Sequence, residues 1–275
     1  MNIKILVCCH KKDVMANKNP YFPIHVGKAK SSIELGIQGD DTGENISVKN
    51  DSYCELTGMY WAWKNMKGVD YIGLCHYRRY FDFYKRTKRF LSASTFSTSE
   101  LETTNLNIPA DVKKKLNDGY VIVAKKQTYR VSNFHEYSEF HLSDDIKLLR
   151  KTLEESYEPK YLDAFDKLMY SSNKLSPFNM FIMGWPVFEE YCKWLFPLLQ
   201  RIEDNLNIAN YTQYQKRVFG FLSERLLNIY LEAEGIKTSE YPILLFDDKA
   251  QSISYLKRII NNIRSNIGFF FIKQL

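Results

Sequence analysis

Three polar side chains, His76, Arg78 and Arg79, directly follow the apolar run at residues 71–75. In open α/β sheets, ligands bind just beyond the carboxyl ends of such buried strands. Arginine presents a fixed fork of donors and histidine can add another, so this pattern predicts a site for a diphosphate. The alternative is that the two arginines are surface charges that happen to follow a strand. The abrupt change from apolar to basic residues, with aromatic side chains interleaved, favours the diphosphate site.

The first apolar run of the chain, at residues 3–9, ends in the same way, in His10 and Lys11. The first strand of an α/β fold commonly leads into a nucleotide pocket. We therefore expect His10 and Lys11 to contribute to the diphosphate site. No Gly-x-Gly-x-x-Gly motif follows this run, which argues against a dinucleotide-binding fold.

Groups that could bind ribose or sugar hydroxyls occur in two places. The glycine-flanked segment 39–47 carries Asp40, Asp41 and Asn45, whose carboxylate and amide groups suit hydroxyls. The same residue types also form ordinary turns, and that alternative stays open. Asn179 lies within an apolar run, where a buried amide needs partners, either backbone groups or substrate hydroxyls.

A cluster of His, Glu and Asp side chains lies at residues 135–145. Such side chains can hold a metal ion, but Asp144 and Asp145 also suit the first turn of a helix. From this cluster we retain His141 as a candidate residue of the acceptor site.

Residues 83–110 are rich in Ser, Thr and basic residues and show weak periodicity. This composition predicts a mobile loop over a site or an insertion that binds the acceptor. Nucleic-acid binding through the basic residues 85–89 is a weaker alternative, because no nucleic-acid-binding motif accompanies them.

Hydrophobic periodicity predicts the elements that carry these residues. Apolar runs predict strands at 3–9, 70–75, 119–124, 176–186 and 241–246, and helical spacing predicts helices at 52–66, 112–116, 145–155, 159–170, from 186 onward and at 212–233. Ser52 and Glu55 match a capping box, whereas Pro197 should kink or end its helix. Residues 13–50 are predicted to be mainly a long loop. The fold class is α/β, with a mostly parallel central sheet flanked by helices.

The composition is that of an ordinary globular protein. The chain has 275 residues, of which 45% are hydrophobic and 25% charged. Its net charge of +6 suits anionic ligands or an anionic membrane surface without requiring nucleic acid. Five cysteines without Cys-x-x-Cys spacing predict reduced, buried thiols. With no signal peptide and no apolar run that could span a membrane, we expect a cytoplasmic protein.

Residues 1–250 are expected to form one domain and residues 251–275 a basic amphipathic tail. The tail mixes Lys and Arg with Ile and Phe. Such a segment can lie on an anionic membrane surface, here the inner face of the plasma membrane. It can equally pack back on the domain.

Longer motifs carry a family resemblance over about residues 3–232. These motifs are His10-Lys11, Pro23-Ile24-His25-Val26-Gly27, residues 40–47, 53–57 and 60–65, His76-Tyr77-Arg78-Arg79-Tyr80-Phe81, residues 179–183 and residues 217–225. In them the chain resembles a bacterial family of glycosyltransferases, long labelled only as a domain of unknown function, that occurs in capsular, exopolysaccharide and O-antigen gene clusters.

The resemblance implies a single nucleotide-sugar-binding domain of the GT-A-like type. Characterised members are inverting galactofuranosyltransferases, so the resemblance implies a UDP-sugar donor, UDP-galactofuranose in those members, and a lipid-linked saccharide as acceptor. An inverting transferase needs one general base. Glu224, in a shared motif, is the first candidate, and Asp82, Asp41 and His141 are the others. The alternative for Glu224 is an ion pair with Arg225 or a cation one turn away.

Many transferases of this architecture hold Mn²⁺ or Mg²⁺ on the diphosphate with an Asp-x-Asp pair, which this sequence lacks. We therefore predict no metal cofactor, with His76, Arg78 and Arg79 replacing the metal through charge-assisted hydrogen bonds. Metal binding by Asp82 or His76 is the alternative.

Two other functions fit the sequence. One is transfer of another hexose, from UDP-galactose or UDP-glucose. The other is a non-catalytic subunit that binds carbohydrate or nucleotide in a polysaccharide assembly complex. No nucleic-acid partner is expected.

Overall fold

The computed structural model describes residues 1–249 and the two positions Ser265 and Phe269. The tail predicted at residues 251–275 otherwise lies outside the described residues. The strands are β1 (Ile3–Cys9), β2 (Tyr21–His25), β3 (Gln38–Gly39), β4 (Tyr71–His76), β5 (Arg79–Phe81), β6 (Ala93–Phe96), β7 (Val121–Ala124), β8 (Gln127–Thr128), β9 (Lys174–Leu175), β10 (Phe181–Gly184), β11 (Thr238–Tyr241) and β12 (Ile243–Phe246). The α-helices are α1 (Asn50–Tyr53), α2 (Leu56–Asn65), α3 (Ala110–Asn117), α4 (Asn133–Phe140), α5 (Ser143–Ser156), α6 (Pro159–Tyr170), α7 (Trp185–Asn205) and α8 (Val218–Ala233).

The chain separates into two compact units by its internal contacts. Among the described residues, unit 1 comprises Met1–Lys125, Asn179–Lys193 and residues 237–249. Unit 2 comprises Lys126–Phe178 and Trp194–Ile236.

Unit 1 is built on a sheet in the order β11-β7-β10-β4-β1-β2-β3, with β12 paired to β5 and β6. Five pairs are parallel, namely β1–β2, β1–β4, β2–β3, β7–β11 and β6–β12, while β10 runs antiparallel to β4 and β7. Strands buried on both faces appear in the sequence as continuous apolar runs, which is why β1, β4, β7 and β10 were predictable. The predicted α/β class with a mostly parallel central sheet is confirmed.

Two glycines allow close packing around the centre of this sheet. A Cβ on Gly58 of α2 would lie 2.8 Å from Val26 Cγ1, which follows β2. A Cβ on Gly73 of β4 would lie 2.9 Å from the carbonyl oxygen of Phe181 on β10. Both distances are shorter than van der Waals contact, so neither position accepts a side chain without displacement of its neighbours.

The predicted helix at 52–66 is divided into α1 and α2. Cys54 lies between them with φ 51° and ψ −130°, a positive φ outside the right-handed helical range, and it ends α1. The predicted capping box is wrong, because the Ser52 hydroxyl donates to the carbonyl of Lys49. Glu55 is instead the residue that precedes α2, and only 8% of it is exposed.

Two other elements differ from the predictions. β2 lies inside the segment predicted to be a loop. The sequence pattern did not indicate this strand, because it contains Pro23 and proline is disfavoured in central strands. β3 pairs only with Ile24 and His25, so the missing N–H of Pro23 breaks no bond to β3. Helix α7 continues through Pro197, with Leu195, Leu198 and Leu199 fully buried around it.

Unit 2 is mainly helical and also contains the short antiparallel pair β8–β9. Helices α4, α5, α6 and α8 pack on one another in this unit. The His, Glu and Asp cluster of the sequence lies on α4 and the first turn of α5, so the helix-start interpretation of Asp144 and Asp145 is confirmed.

Candidate functional site

The carboxyl ends of β1 and β4 form the candidate site of unit 1. The two strands are parallel neighbours, with Cys8 opposite His76, and the Tyr77 N–H donates to the Cys8 carbonyl over 3.2 Å. This register brings the segments after both strands together. His10 contacts the Tyr77 ring edge-on at 5.6 Å, and Lys11 Nζ lies 5.7 Å from the centre of the same ring.

The His-Tyr-Arg-Arg segment is a tight β-hairpin. His76 and Arg79 face each other as the last pair of β4 and β5, and Tyr77 and Arg78 form the turn between them. The Tyr80 hydroxyl donates to the Tyr77 carbonyl and accepts the N–H of Ala16. The fully buried Tyr80 side chain thereby holds the turn in place.

Arg78 already has two anionic partners. Its guanidinium lies 2.8 Å from the carboxylate of Asp13 and 3.3 Å from that of Asp247. Hydrogen bonding to Asp13 raises the pKa of Arg78 further above its ordinary value. Its side chain remains 28% exposed. An anionic ligand at this guanidinium would therefore compete with the two carboxylates for its N–H donors.

We call His10, Lys11, His76, Arg78 and Arg79 the basic cradle. The predicted diphosphate-binding residues thus lie at the ends of adjacent strands, as parallel pairing requires. Arg79 is on β5 opposite Leu245 of β12.

Asp40 is fully buried and organises the loop that follows β2. Its carboxylate accepts the N–H groups of Gly27 and Lys28 at 2.9 and 3.1 Å, and the Ser47 hydroxyl also donates to it. Three donors to one buried carboxylate indicate an anchor of the backbone rather than a sugar ligand.

Asp41 and Asn45 lie on the turn after β3. The Asn45 amide donates to the carbonyls of Asp41 and Gly43, and its oxygen accepts the N–H of Ser47. The Asp41 side chain is exposed. These hydrogen bonds fit the turn alternative for Asn45, while the Asp41 carboxylate is accessible to solvent.

Asn179 lies shortly before β10 in unit 1. It is fully buried and has a φ of 55°. Its amide nitrogen lies 3.4 Å from Oε1 of Glu55. Burial, followed by the charge of the Glu55 carboxylate, raises the pKa of the Cys8 thiol. Glu55 therefore lies near the end of β1, a placement that its sequence interpretation as a helix cap missed.

His25 is a second residue that sequence reasoning left out of the site. It ends β2 opposite Cys9, is 1% exposed, and its Nε2 has no hydrogen-bond partner among the described residues. Burial lowers the pKa of His25, so the ring is neutral at pH 7. The signal that could have found it is the motif at residues 23–27, which carries a histidine at the end of a strand.

Asp82, a candidate base, is 2% exposed. Its carboxylate accepts the N–H groups of Tyr84 at 3.2 Å and Arg86 at 3.1 Å, and also that of Thr87. With these three donors its role in the structure is to hold the next loop.

The first candidate base, Glu224, belongs to an ion network in unit 2. Its Oε2 lies 3.3 Å from Arg225 Nη1, and Arg225 Nη2 lies 3.0 Å from Glu136 Oε2. Arg225 is 4% exposed, whereas the Glu224 side chain is 27% exposed. Burial raises the pKa of Glu136 although Arg225 opposes this effect. Glu136 and Glu224 both pair with the buried Arg225, and the Glu224 carboxylate is the more accessible of the two.

His141, also in unit 2, belongs to a cluster of aromatic rings and stacks on two of them. Its ring centre lies 3.9 Å from that of Phe221 and 5.7 Å from that of Tyr214. Burial, followed by the positive charge of Arg225, lowers the pKa of His141 to about 4. The imidazole is therefore neutral at pH 7.

Among residues 1–249, no group of three His, Cys, Asp or Glu side chains is placed to hold a metal ion. None of the helices in this part of the chain is long and apolar enough to cross a membrane. The five cysteines, all within the described part of the chain, form no disulfide with one another, and four of them are buried.

Residues 4–235 match the sequence profile of a family described as a domain of unknown function, DUF4422. No curated protein matches the chain. A solved apo structure of WbbM, described as a bifunctional glycosyltransferase, is similar with a TM-score of 0.78 and 28% identity. The similarity covers 93% of this chain and 48% of the WbbM chain, so this chain spans about half the length of that relative.

Proposed function

The chain belongs to the DUF4422 family, and we propose that it is a glycosyltransferase of polysaccharide synthesis that uses a nucleotide-sugar donor. The similarity to the bifunctional glycosyltransferase over 93% of this chain supports the reaction class. The single structural observation that carries the proposal is the basic cradle at the adjoining ends of β1 and β4.

In this proposal the cradle binds the diphosphate of a UDP-sugar. Glycosyl transfer leaves negative charge on the departing UDP, and preorganised cations stabilise that charge as it develops. Arg78 and Arg79 supply fixed donors, and His10, Lys11 and His76 add to them. These side chains take the part that Mn²⁺ or Mg²⁺ has in transferases with an Asp-x-Asp pair.

The finer proposal is transfer of galactofuranose, with inversion, to a hydroxyl of a lipid-linked repeat unit at the cytoplasmic face of the membrane. Inversion needs a carboxylate or imidazole that accepts the proton of the acceptor hydroxyl. We assign this role to Glu224, because its carboxylate is accessible and held by Arg225 at 3.3 Å. Asp82 is less suitable, since backbone N–H groups occupy both of its oxygens.

Donor binding is tested by thermal unfolding of the full chain with UDP, UDP-galactofuranose, UDP-galactose, UDP-glucose and GDP- or dTDP-sugars. A ligand that binds only the folded state raises the melting temperature. We expect an increase with the uridine compounds alone, equal in Mn²⁺ and in EDTA. An increase that requires Mn²⁺ would refute the metal-independent cradle, and no increase with any nucleotide would refute donor binding.

Turnover is tested by UDP release from each bound donor in the presence of lipid-linked saccharide acceptors. We expect release only when donor and acceptor are both present, with UDP-galactofuranose the fastest. Faster UDP release from UDP-galactose or UDP-glucose would show that the transferred sugar is galactose or glucose rather than galactofuranose. Donor binding without release, across the acceptors, would favour a non-catalytic binding subunit.

A further inference from the structure

The segment that follows β5 carries an unusual concentration of positive charge. Residues 83–91, which we call the basic loop, contain Lys85, Arg86, Lys88 and Arg89. No acidic residue occurs between Asp82 and Glu100. The catalytic proposal uses none of the residues of this loop.

The basic loop has a fixed inner side. Phe83, Thr87 and Leu91 are buried at intervals of four residues. The buried carboxylate of Asp82 accepts the N–H groups of Arg86 and Thr87. The Phe83 ring packs against that of Tyr241, with centroids 5.1 Å apart. The loop is therefore attached to the sheet of unit 1 through its inner residues.

Its outer side presents two aromatic rings and the cations. Phe90 is 61% exposed, more than any other large apolar side chain in the described part of the chain, and Tyr84 is 44% exposed. Lys85, Lys88 and Arg89 are also exposed. Arg86 is exposed as well, and its guanidinium pairs with Glu100 at 2.7 Å.

We propose that the basic loop docks the protein onto anionic phospholipid headgroups. Cations near such a surface are attracted to it, and the attraction weakens within a Debye length. Aromatic rings favour the boundary between headgroups and acyl chains, which would remove the exposed Phe90 ring from water. The combination of several exposed cations and a protruding apolar ring at one loop fits a membrane surface better than a free anion, which needs no apolar contact.

This contact is distinct from the tail at 251–275, and it is independent of donor binding, because vesicle binding is measured without nucleotide. The full chain is mixed with vesicles of phosphatidylglycerol and phosphatidylcholine, or of phosphatidylcholine alone, and the bound fraction is measured by sedimentation. The tail is common to all variants, so differences between them report on the loop.

The charge test compares two double charge reversals on unit 1. Each cation near an anionic surface strengthens binding by about fivefold. We therefore expect the double variant Lys88→Glu, Arg89→Glu to bind the anionic vesicles at least about tenfold more weakly than the wild type. The matched control is Lys113→Glu with Lys114→Glu on α3, where both side chains are exposed. The control makes the same change in net charge at a different place on unit 1. If the cations act through their position in the basic loop, the control should alter vesicle binding less than about threefold.

The apolar test compares two exposed phenylalanines. Phe90→Ser should weaken vesicle binding severalfold, whereas Phe140→Ser, at a ring that is 58% exposed in unit 2, should not. Unchanged melting temperatures establish that the variants are folded. Binding of all variants equal to that of the wild type, or equal binding to both vesicle types, would overturn the proposal. Loss of oligonucleotide binding in the Lys88 and Arg89 variant, without vesicle binding by the wild type, would assign the loop to nucleic acid instead.

Discussion

Arg78 and Asp13 form an ion pair of 2.8 Å that joins the hairpin turn after β4 to the segment after β1. Asp247, which follows β12, approaches the same guanidinium at 3.3 Å. Carboxylates from two separate segments thus hold the arginine at the edge of the sheet. Such an arrangement fixes the guanidinium before a ligand arrives, and the same carboxylates compete with an anionic ligand.

The first prediction concerns Arg78 and UDP binding. Charge-assisted hydrogen bonds contribute about 1.5–3 kcal/mol, so Arg78→Ala should raise the Kd for UDP by about 10- to 100-fold in calorimetry. Arg150→Ala is the matched control, since Arg150 also binds a carboxylate at 2.8 Å and its side chain is 32% exposed, but it lies in unit 2. We expect no change in Kd for that variant.

Asp13→Asn gives the test of opposite sign. It leaves the charge of Arg78 in place and removes a competing carboxylate, so UDP should bind as tightly as to the wild type or more tightly. If Asp13→Asn weakened binding as much as Arg78→Ala, the pair would act as one structural unit and Arg78 would not contact the diphosphate.

The second prediction concerns Asp40 and stability. Its buried carboxylate accepts three donors, and removal of it leaves buried N–H groups without partners. We expect Asp40→Ala to lower the free energy of unfolding by about 2–4 kcal/mol in urea denaturation. Its neighbour Asp41 is exposed, so Asp41→Ala should stay within about 0.5 kcal/mol of the wild type. Equal effects of the two variants would contradict the anchor role.

The sequence predicted the cradle for a reason that lies in the geometry of sheets. Polar residues that follow two parallel neighbouring strands emerge at one edge of the sheet, and the structure pairs the two strands that end before His10 and at His76. That these residues bind a diphosphate stays a prediction. The family resemblance added independent support and is confirmed over residues 4–235.

The roles of Asp40, Asp82 and Glu55 were beyond sequence reasoning. An aspartate beside turn residues has the same local pattern whether its carboxylate faces solvent or backbone N–H groups. Tertiary packing decides between these possibilities, and here it buries all three carboxylates. Likewise Pro197 has the local signal of a helix end, which burial of its neighbours overrides.

The third prediction concerns His141 and pH. Its folded-state pKa of about 4 lies below the ordinary value of 6.5. As pH falls from 6.5, the unfolded chain takes up a proton that the folded chain does not, so the stability that neutral His141 provides above pH 6.5 is lost on the way to pH 4. The slope from this one group is at most about 1.4 kcal/mol per pH unit.

The measurement compares unfolding free energies of the wild type and His141→Phe at pH 7, 6, 5 and 4. Phenylalanine keeps the stacking on Phe221 and removes the titration, so the variant should gain stability relative to the wild type as pH falls. Other groups, such as Glu136, titrate in both proteins and cancel in the difference. A difference that does not change with pH would show that His141 is solvated and titrates normally.

The fourth prediction concerns Glu224 as the general base. Loss of a general base commonly slows a reaction about 10²- to 10⁴-fold, so we expect Glu224→Gln to lower kcat by that factor in UDP-release assays. The Kd for UDP should not change, because the cradle is intact. Glutamine can still accept a hydrogen bond from Arg225, so the melting temperature should stay close to that of the wild type. Glu232→Gln is the matched control, since Glu232 lies on the same helix, exposed and paired with Lys167. Near-normal kcat in Glu224→Gln with a lowered melting temperature would leave Glu224 only as the partner of Arg225.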